Sequence, residues 1–317
     1  GKWTQSEEIG IWGSEPWGTL VKREIPFLTD EPIYPAAVIS KKLVKPVGQH
    51  ICLNFRENFY PQNYDCYDKI QLGYLFSVIK CEKASRGKIK LITRKYPVVA
   101  EKIRINSIEY IFDVKEDEIE VEMATGDNLF IVDISGCYQK FSVELLFKFD
   151  CELEFTAPGY GNGSMFLSVG PFEYAPVLNI VAADTVDMDW NNPYYRSFWQ
   201  IGCIEELQKY KDWIKGVEPG FIETDNVFVL SSEKKVIRKL SPGGDTGNMV
   251  IANNSCCTVM PDPSGDMEYV IDFGTELSGY LEFDIDCDQG VILDFNFFEY
   301  NSFNDMELCA GMNNTLR

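Results

Sequence analysis

The chain has one histidine, His50. A lone imidazole cannot build the usual zinc or histidine-based nucleophilic constellation. His50 opens an apolar strand pattern with no carboxylate motif beside it, so it reads as a packing or surface residue. Serine nucleophile elbows of the form G-x-S-x-G are absent, and Gly163-Ser164 lacks the strand, elbow and helix that such a nucleophile needs. GYGNGSMFLSVGPF is glycine-rich but is not followed by GK[ST] or by a strand-turn-helix context. This excludes a phosphate loop and a dinucleotide fingerprint. No run of 18 apolar residues exists, which excludes a membrane-spanning helix. The ten cysteines (52, 66, 81, 137, 151, 203, 256, 257, 287 and 309) form no C-x-x-C pair, and the adjacent Cys256 and Cys257 do not make a zinc clip. Cys52 in HICLNF and Cys81 in VIKCEK sit in strand patterns as small hydrophobes. Reduced, buried thiols of this kind point to a cytoplasmic origin. Cations are short as well: 29 Lys and Arg stand against 49 Asp and Glu, a net charge of −20. That balance, with a pI near 4.5, excludes nucleic acid and anionic membrane surfaces as partners, because both require basic residues. A small molecule or a neutral polymer such as carbohydrate remains, and no cofactor or metal is implied.

What is present is size and aromatic content. At 317 residues the length prior gives roughly two to three domains, and a chain this long buries enough surface to need no disulfide or metal. The 45% hydrophobic and 25% charged shares suit a globular protein, and the 14% aromatic share favours strands over helices.

Residues 1–35 are rich in Trp and Pro. Pro16, Pro26, Pro32 and Pro35 forbid a long helix, so this segment is expected to run extended. From 36 to 189 short apolar runs alternate with polar turns. EIEVEM alternates with period two, as a half-buried antiparallel strand does, and Thr125-Gly126-Asp127-Asn128 reads as a hairpin turn. Strands at this spacing without helices predict a β-sandwich, jelly-roll-like and similar to galactose-binding modules. Within 190–225, apolar residues at 198, 201, 204, 207, 210 and 214 predict a helix over about Ser197–Lys215, ended by Gly216 and Pro219 and serving as a connector. From 226 to 317 strands return in NVFVLSS, KVIRKLS, NMVIAN, CTVMP, MEYVIDFG, GYLEFDID and VILDFNFFEY, predicting a second antiparallel β-sandwich. The fold class is therefore mainly β: two antiparallel sandwiches with a short helical connector. The chain opens on Gly1 without an initiator Met and ends abruptly on MNNTLR, so it reads as a piece of something longer.

Glycoside hydrolysis needs two facing carboxyl groups about 5–9 Å apart, but 49 acidic residues supply candidate pairs everywhere and single out none. VKEDEIEVE and EFDIDCD read as solvated strand faces. DIDCDQG places Asp284, Asp286 and Asp288 at alternate positions but lacks the later Glu of a calcium loop.

The segment MEYVIDFGTELSGYLEFDIDCDQGVILDFNFFEY resembles the β-sandwich that precedes the catalytic barrel in bacterial α-L-rhamnosidases. The resemblance rests on Asp272-Phe273-Gly274, Glu276, Gly279-Tyr280, the Gly290 turn and Glu299-Tyr300. NNTLR at 313–317 is similar to the family's next landmark, and TLVKREIPFLTDEP at 19–32 looks like its linker. The stretch 101–147 looks like its accessory jelly-roll modules. The resemblance implies a glycoside hydrolase whose acid and base lie in a six-hairpin α/α barrel after Arg317, so none of these residues inherits a catalytic role. Gly274 and Gly279 are expected to bracket a turn, with Phe273 and Tyr280 packing across it and Glu276 and Glu299 anchoring a neighbouring domain. The expected function is that of a non-catalytic accessory region that supports the barrel and contacts a rhamnose-containing glycan. The alternatives are a stand-alone carbohydrate-binding protein and a purely structural β protein. The loop aromatics Trp3, Trp12, Trp17, Tyr160 and Trp190 are the candidate sugar-stacking residues. An apolar face left for the barrel also predicts self-association of this chain alone.

Overall fold

The computed structural model describes residues 6–7, 9–16, 18–19, 21–22, 24–25, 29, 31–54, 69–92, 102–112, 118–135, 142–157, 159, 163–176, 191–251, 255–298, 300–301, 309–310 and 314–317. The chain is mainly β and its sheets are antiparallel. It separates into two compact units: a larger one of 42–240, 261–268 and 280–317, and a smaller one of 1–41, 241–260 and 269–279.

The first strands are β1 (Ala37–Pro46), β2 (Gln49–Asn54), β3 (Lys69–Cys81) and β4 (Ser85–Leu91). Then come β5 (Lys102–Ile105), β6 (Ile108–Ile111), β7 (Glu118–Met123) and β8 (Gly126–Asp133). β9 (Ser142–Lys148), β10 (Glu154–Thr156), β11 (Leu167–Pro176), β12 (Ile214–Gly216) and β13 (Ile222–Glu223) follow. A seven-stranded sheet runs β12-β11-β3-β8-β5-β6 with β10 also on β3, and a five-stranded sheet runs β13-β2-β9-β4-β7.

These two sheets form the sandwich that the strand spacing predicts. Period-two alternation sends Ile89 and Leu91 of β4, Val121 and Met123 of β7 and Val143, Leu145 and Phe147 of β9 inward. There they meet Leu75 and Ile79 of β3, Ile103 and Ile105 of β5 and Phe130 and Val132 of β8. Phe147 packs edge-on to Phe130 and Phe155 at 5.6 and 4.9 Å between centroids. The EIEVEM stretch is β7, paired from Ser85↔Met123 to Lys90↔Glu118. The chain turns near Thr125 as the sequence predicts, but the turn is not a hairpin: β7 pairs with β4 in one sheet and β8 with β3 and β5 in the other, so the connection crosses between the sheets. Gly126 has φ +87°, and the buried Asn128 side chain donates to Ala124 O (2.8 Å) and Gly126 O (3.1 Å) while accepting from Ala124 N (2.8 Å). Gly48, with φ +70°, sits so close to β9 that a Cβ would lie 2.4 Å from Phe147 O.

The predicted long helix is two pieces. α1 (Pro193–Trp199) is capped by Asn192, whose side chain accepts from Tyr194 N and Tyr195 N. A 3₁₀ segment then covers Ile204–Trp213, kinked at Tyr210, whose φ of −125° and ψ of 32° are not helical. The break falls at Gly202, a poor helix residue, and Cys203 is extended. Glu206 folds back to accept from Gly202 N at 3.2 Å, and Glu205 and Glu206 supply negative charge to the first turn of the second piece. The predicted apolar positions are nonetheless the buried ones. Phe198, Ile201, Ile204 and Leu207 cover the outer face of the seven-stranded sheet, against Tyr74, Phe76, Ile131, Leu167 and Val169. A reading of this segment as a connector without a core of its own is thus corrected, because its apolar face is wide enough to seal a second core. It also explains why Leu72–Ile79 of β3 is buried on both faces.

Beyond 226 several predicted strands take other forms. NVFVLSS is helix α2 (Val227–Ser232), because Asn226 caps it through Oδ1 to Val229 N at 3.2 Å and local capping outweighs β propensity. Glu233 at its end pairs with Lys90 and, at 3.6 Å, Lys148, tying it to the sandwich. NMVIAN begins in a 3₁₀ turn over Gly244–Met249, and CTVMP forms no strand. The Asp245 carboxylate accepts from Thr258 N at 2.7 Å and holds these two stretches as a closed loop in the smaller unit. KVIRKLS and MEYVIDFG do form strands, β14 (Lys234–Leu240) and β15 (Asp266–Asp272), in a sheet ordered β14-β1-β15. β16 (Phe295–Phe297) pairs with β19 (Asn314–Leu316), and β17 (Tyr300–Asn301) with β18 (Cys309–Ala310). GYLEFDID (279–286) and the opening of VILDFNFFEY (291–294), expected as strands, contain none. Their alternation supplies an apolar face, but among the described residues no sheet edge receives them.

Candidate functional site

Carboxylates come first, because sugar hydrolysis needs a pair of them. The larger unit holds a cleft of about 560 Å³ between β6 and β7, lined by Lys88, Glu109, Ile111, Glu118 and Glu120 among others. Glu109 Oε2 accepts the Trp199 indole N–H at 2.6 Å. Glu118 accepts from Lys88 Nζ at 2.9 Å and Lys148 Nζ at 2.5 Å. Burial alone would raise the Glu118 carboxyl, but these two ammonium groups outweigh it and hold it below the usual carboxylate range. A glycosidase general acid requires the opposite, a carboxyl held protonated near neutral pH. Asp262, bonded by Ser264 and Arg238, is likewise lowered.

A second cleft of about 460 Å³ opens beside the helical cover and is lined by Tyr74, Lys102, Tyr195, Arg196, Trp199 and Gln200. Its rings form a ladder. Tyr74 stacks on Tyr195 at 4.9 Å and 4°, and on Trp199 at 5.5 Å and 27°. The Lys102 ammonium lies 4.3 Å over the Trp199 ring and 3.7 Å from the buried Asp133 carboxylate. Asp133 also accepts from Tyr195 Oη at 2.7 Å and Ser135 N at 2.9 Å. Burial and the Asp133 charge push both tyrosines above the ordinary phenol range. These residues come from β3, β5, β8 and α1, so no spacing in the sequence announces them. Sugar stacking needs an open ring face. Trp199 is only 8% exposed and already carries a cation and a tyrosine, so the ladder fastens the helical cover to the sheet.

His50 is 5% exposed, and its Nε2 accepts from Asn226 N at 3.0 Å. Burial lowers its pKa, the Asp225 and Glu223 carboxylates offset part of this, and Arg317 adds to the lowering. Arg317 is itself clamped by Asp294 (2.7 and 2.8 Å) and Asp225. His50 is therefore a packed acceptor that joins β2 to the cap of α2.

Of the aromatic candidates, Trp12 is 73% exposed, while Trp3, Trp17, Tyr160 and Trp190 lie outside the described residues. In the 272–280 motif, Asp272 Oδ1 accepts from Gly274 N at 2.7 Å, and Asp272 O accepts from Ala36 N at 2.7 Å. Gly274 has φ +75°, and a Cβ there would come within 3.3 Å of Ala36 Cβ. The freedom expected at Gly274 is thus used, whereas Gly279 has open space around it. Tyr280 is 96% exposed, so the packing expected of it across the turn does not form. Glu276 is exposed, and Glu299 lies outside the described residues.

Known proteins agree with this architecture. A family model described as alpha-L-rhamnosidase, domain D2, matches residues 49–220, the span of the sandwich and its helical cover. The crystal structure of a GH78 family rhamnosidase from Bacillus sp. GL1 superposes with a TM-score of 0.65 at 22% identity, over 84% of this chain. That likeness is one of fold, and the present chain spans 28% of the length of the rhamnosidase. No curated protein matches the chain. With more than half of its residues matched by that one model, the chain belongs to the alpha-L-rhamnosidase domain D2 family.

Proposed function

We propose that this chain is the accessory region of an α-L-rhamnosidase-like glycosidase, contributing scaffold and glycan contact while the bond-breaking groups lie elsewhere in the protein. The observation that carries this reading is the state of the acid-lined cleft. Glu109 is bonded to Trp199, and Glu118 is neutralised by two lysines. Neither carboxyl is placed to donate a proton to a leaving oxygen or to activate a water across a sugar ring. The parent enzyme would remove terminal rhamnose with inversion, using a carboxylic acid and a carboxylate supplied by its barrel. The exposed apolar residues Tyr280, Phe283, Ile285, Val291 and Ile292 support the scaffold role, since a neighbouring domain would cover them. Left uncovered, they favour self-association of the isolated chain. Of the five candidate aromatics, Trp12 is the one among the described residues, and it is exposed to touch glycan.

The test is to produce the longer enzyme with and without residues 1–317 and compare aryl α-L-rhamnoside turnover and thermal stability. The shortened enzyme is expected to melt several degrees lower and to keep turnover per folded molecule. Abolished turnover in a remainder that is still folded by circular dichroism would place a catalytic group within this chain.

A further inference from the structure

Cys81 closes β3 and is buried at 2% exposure, while Cys151 lies half-buried in the connection from β9 to β10. Their sulfurs stand 3.7 Å apart. Pairing delivers that connection to the end of β3, since Glu154 lies opposite Lys80 and Phe155 opposite Ile79. The Gln49 side chain holds it there, donating to Leu153 O at 2.8 Å and accepting from Leu153 N at 3.1 Å. Cys81 Sγ is oriented by donating to Lys83 O at 3.0 Å. Both residues border the sandwich core.

We propose that Cys81 and Cys151 are a latent disulfide, closed by thiol–disulfide exchange with a small-molecule disulfide such as oxidised glutathione, and that it staples β3 to the β9–β10 connection. Closure needs the sulfurs to approach from contact to bonding distance, about 2.05 Å. The connection bearing Cys151 supplies that movement, because Cys81 at the end of β3 is fixed by its pairing with Gly126 of β8. In the first step the Cys151 thiolate, on the accessible side, attacks the donor disulfide and forms a mixed disulfide, releasing one glutathione thiolate. Cys81 then loses its proton and attacks the Cys151 sulfur, releasing a second glutathione. Two thiols are oxidised, one donor disulfide is reduced, and both protons end on the released glutathiones. Burial and the neighbouring Cys151 raise the Cys81 thiol above its ordinary value, so Cys81 is not the thiol that attacks the donor first. The two positions are 70 apart in the sequence, so the link would close a long loop and restrict the unfolded chain.

The experiment incubates the folded, purified chain with oxidised or reduced glutathione, alkylates free thiols, maps peptides under non-reducing conditions and compares melting temperatures. The expected result is a Cys81–Cys151 linked peptide, a loss of two alkylatable thiols, and a Tm higher by about 5–10 °C than in the reduced chain. Cys81→Ser and Cys151→Ser should each remove the link and the Tm rise, while the exposed Cys203→Ser keeps both. Recovery of Cys81 and Cys151 as alkylated thiols, or each as a separate glutathione adduct, overturns the proposal. A linked peptide without a Tm rise overturns the stapling role.

Discussion

At the scale of single residues the account turns on groups whose chemistry is already spent. His50 is buried, accepts from Asn226 N and has a lowered pKa. Because it is the chain's one histidine, it is a clean reporter. In the unfolded chain it titrates near 6.5, and in the folded chain at a lower value. Between those values the unfolded state binds the proton and the native state does not, so the contribution is full above pH 6.5 and declines as the pH falls toward the folded value. NMR titration of the single imidazole is expected to give a midpoint below 6.5, and the same pH range should show a loss of stability that His50→Asn removes. A midpoint at or above 6.5 would contradict a buried, neutral acceptor. The Lys102, Trp199, Tyr74, Tyr195 and Asp133 ladder could not be read from the sequence at all. Its members come from four elements and meet only once the sheet is assembled, and none of the types is unusual alone. The acid cleft was hidden for the opposite reason, since carboxylates abound and only their partners tell them apart.

At the scale of elements, legibility follows what holds each one. β7 could be read from EIEVEM because one face is wet and one dry, and the turn after it from Thr125-Gly126-Asp127-Asn128, whereas the hairpin expected there is a crossing between the two sheets, which local turn residues do not reveal. α2 defeated its β-branched composition through a single cap at Asn226. The helix expected over 197–215 kept its apolar positions but broke at Gly202, so burial could be predicted where continuity could not. Phe198 is fully buried against β3 and β11, with ring contacts to Phe172 at 5.1 Å and Tyr210 at 4.8 Å. Phe198→Ala should cost about 3–5 kcal/mol in denaturant melts, while Lys209→Ala on the exposed side should cost less than about 0.5 kcal/mol. Similar costs for the two would mean that the cover is not packed as described.

For the whole molecule the relevant fact is where the cores lie. Both hydrophobic clusters draw on residues between 51 and 222, almost the span matched to domain D2. A segment of 47–224 is therefore expected to fold alone, with a cooperative near-ultraviolet melt, and a non-cooperative melt would mean that the sandwich depends on the remainder. The family resemblance in the sequence rests mainly on the C-terminal motif around Asp272 to Tyr280, whereas the family model matches 49–220, and the strand predicted over GYLEFDID (279–286) does not form among the described residues. Sequence alternation specifies a face, whereas a strand also needs an edge to join.

The proposal that the bond-breaking groups lie outside this chain can be tested by assaying the purified 317-residue protein at high concentration against a panel of aryl glycosides that includes the α-L-rhamnoside. No turnover above the uncatalysed rate is expected at any pH from 4 to 9. Turnover that persists through repurification and falls in Glu109→Gln, Glu118→Gln or Glu120→Gln would contradict it and place an acid–base pair in the cleft between β6 and β7.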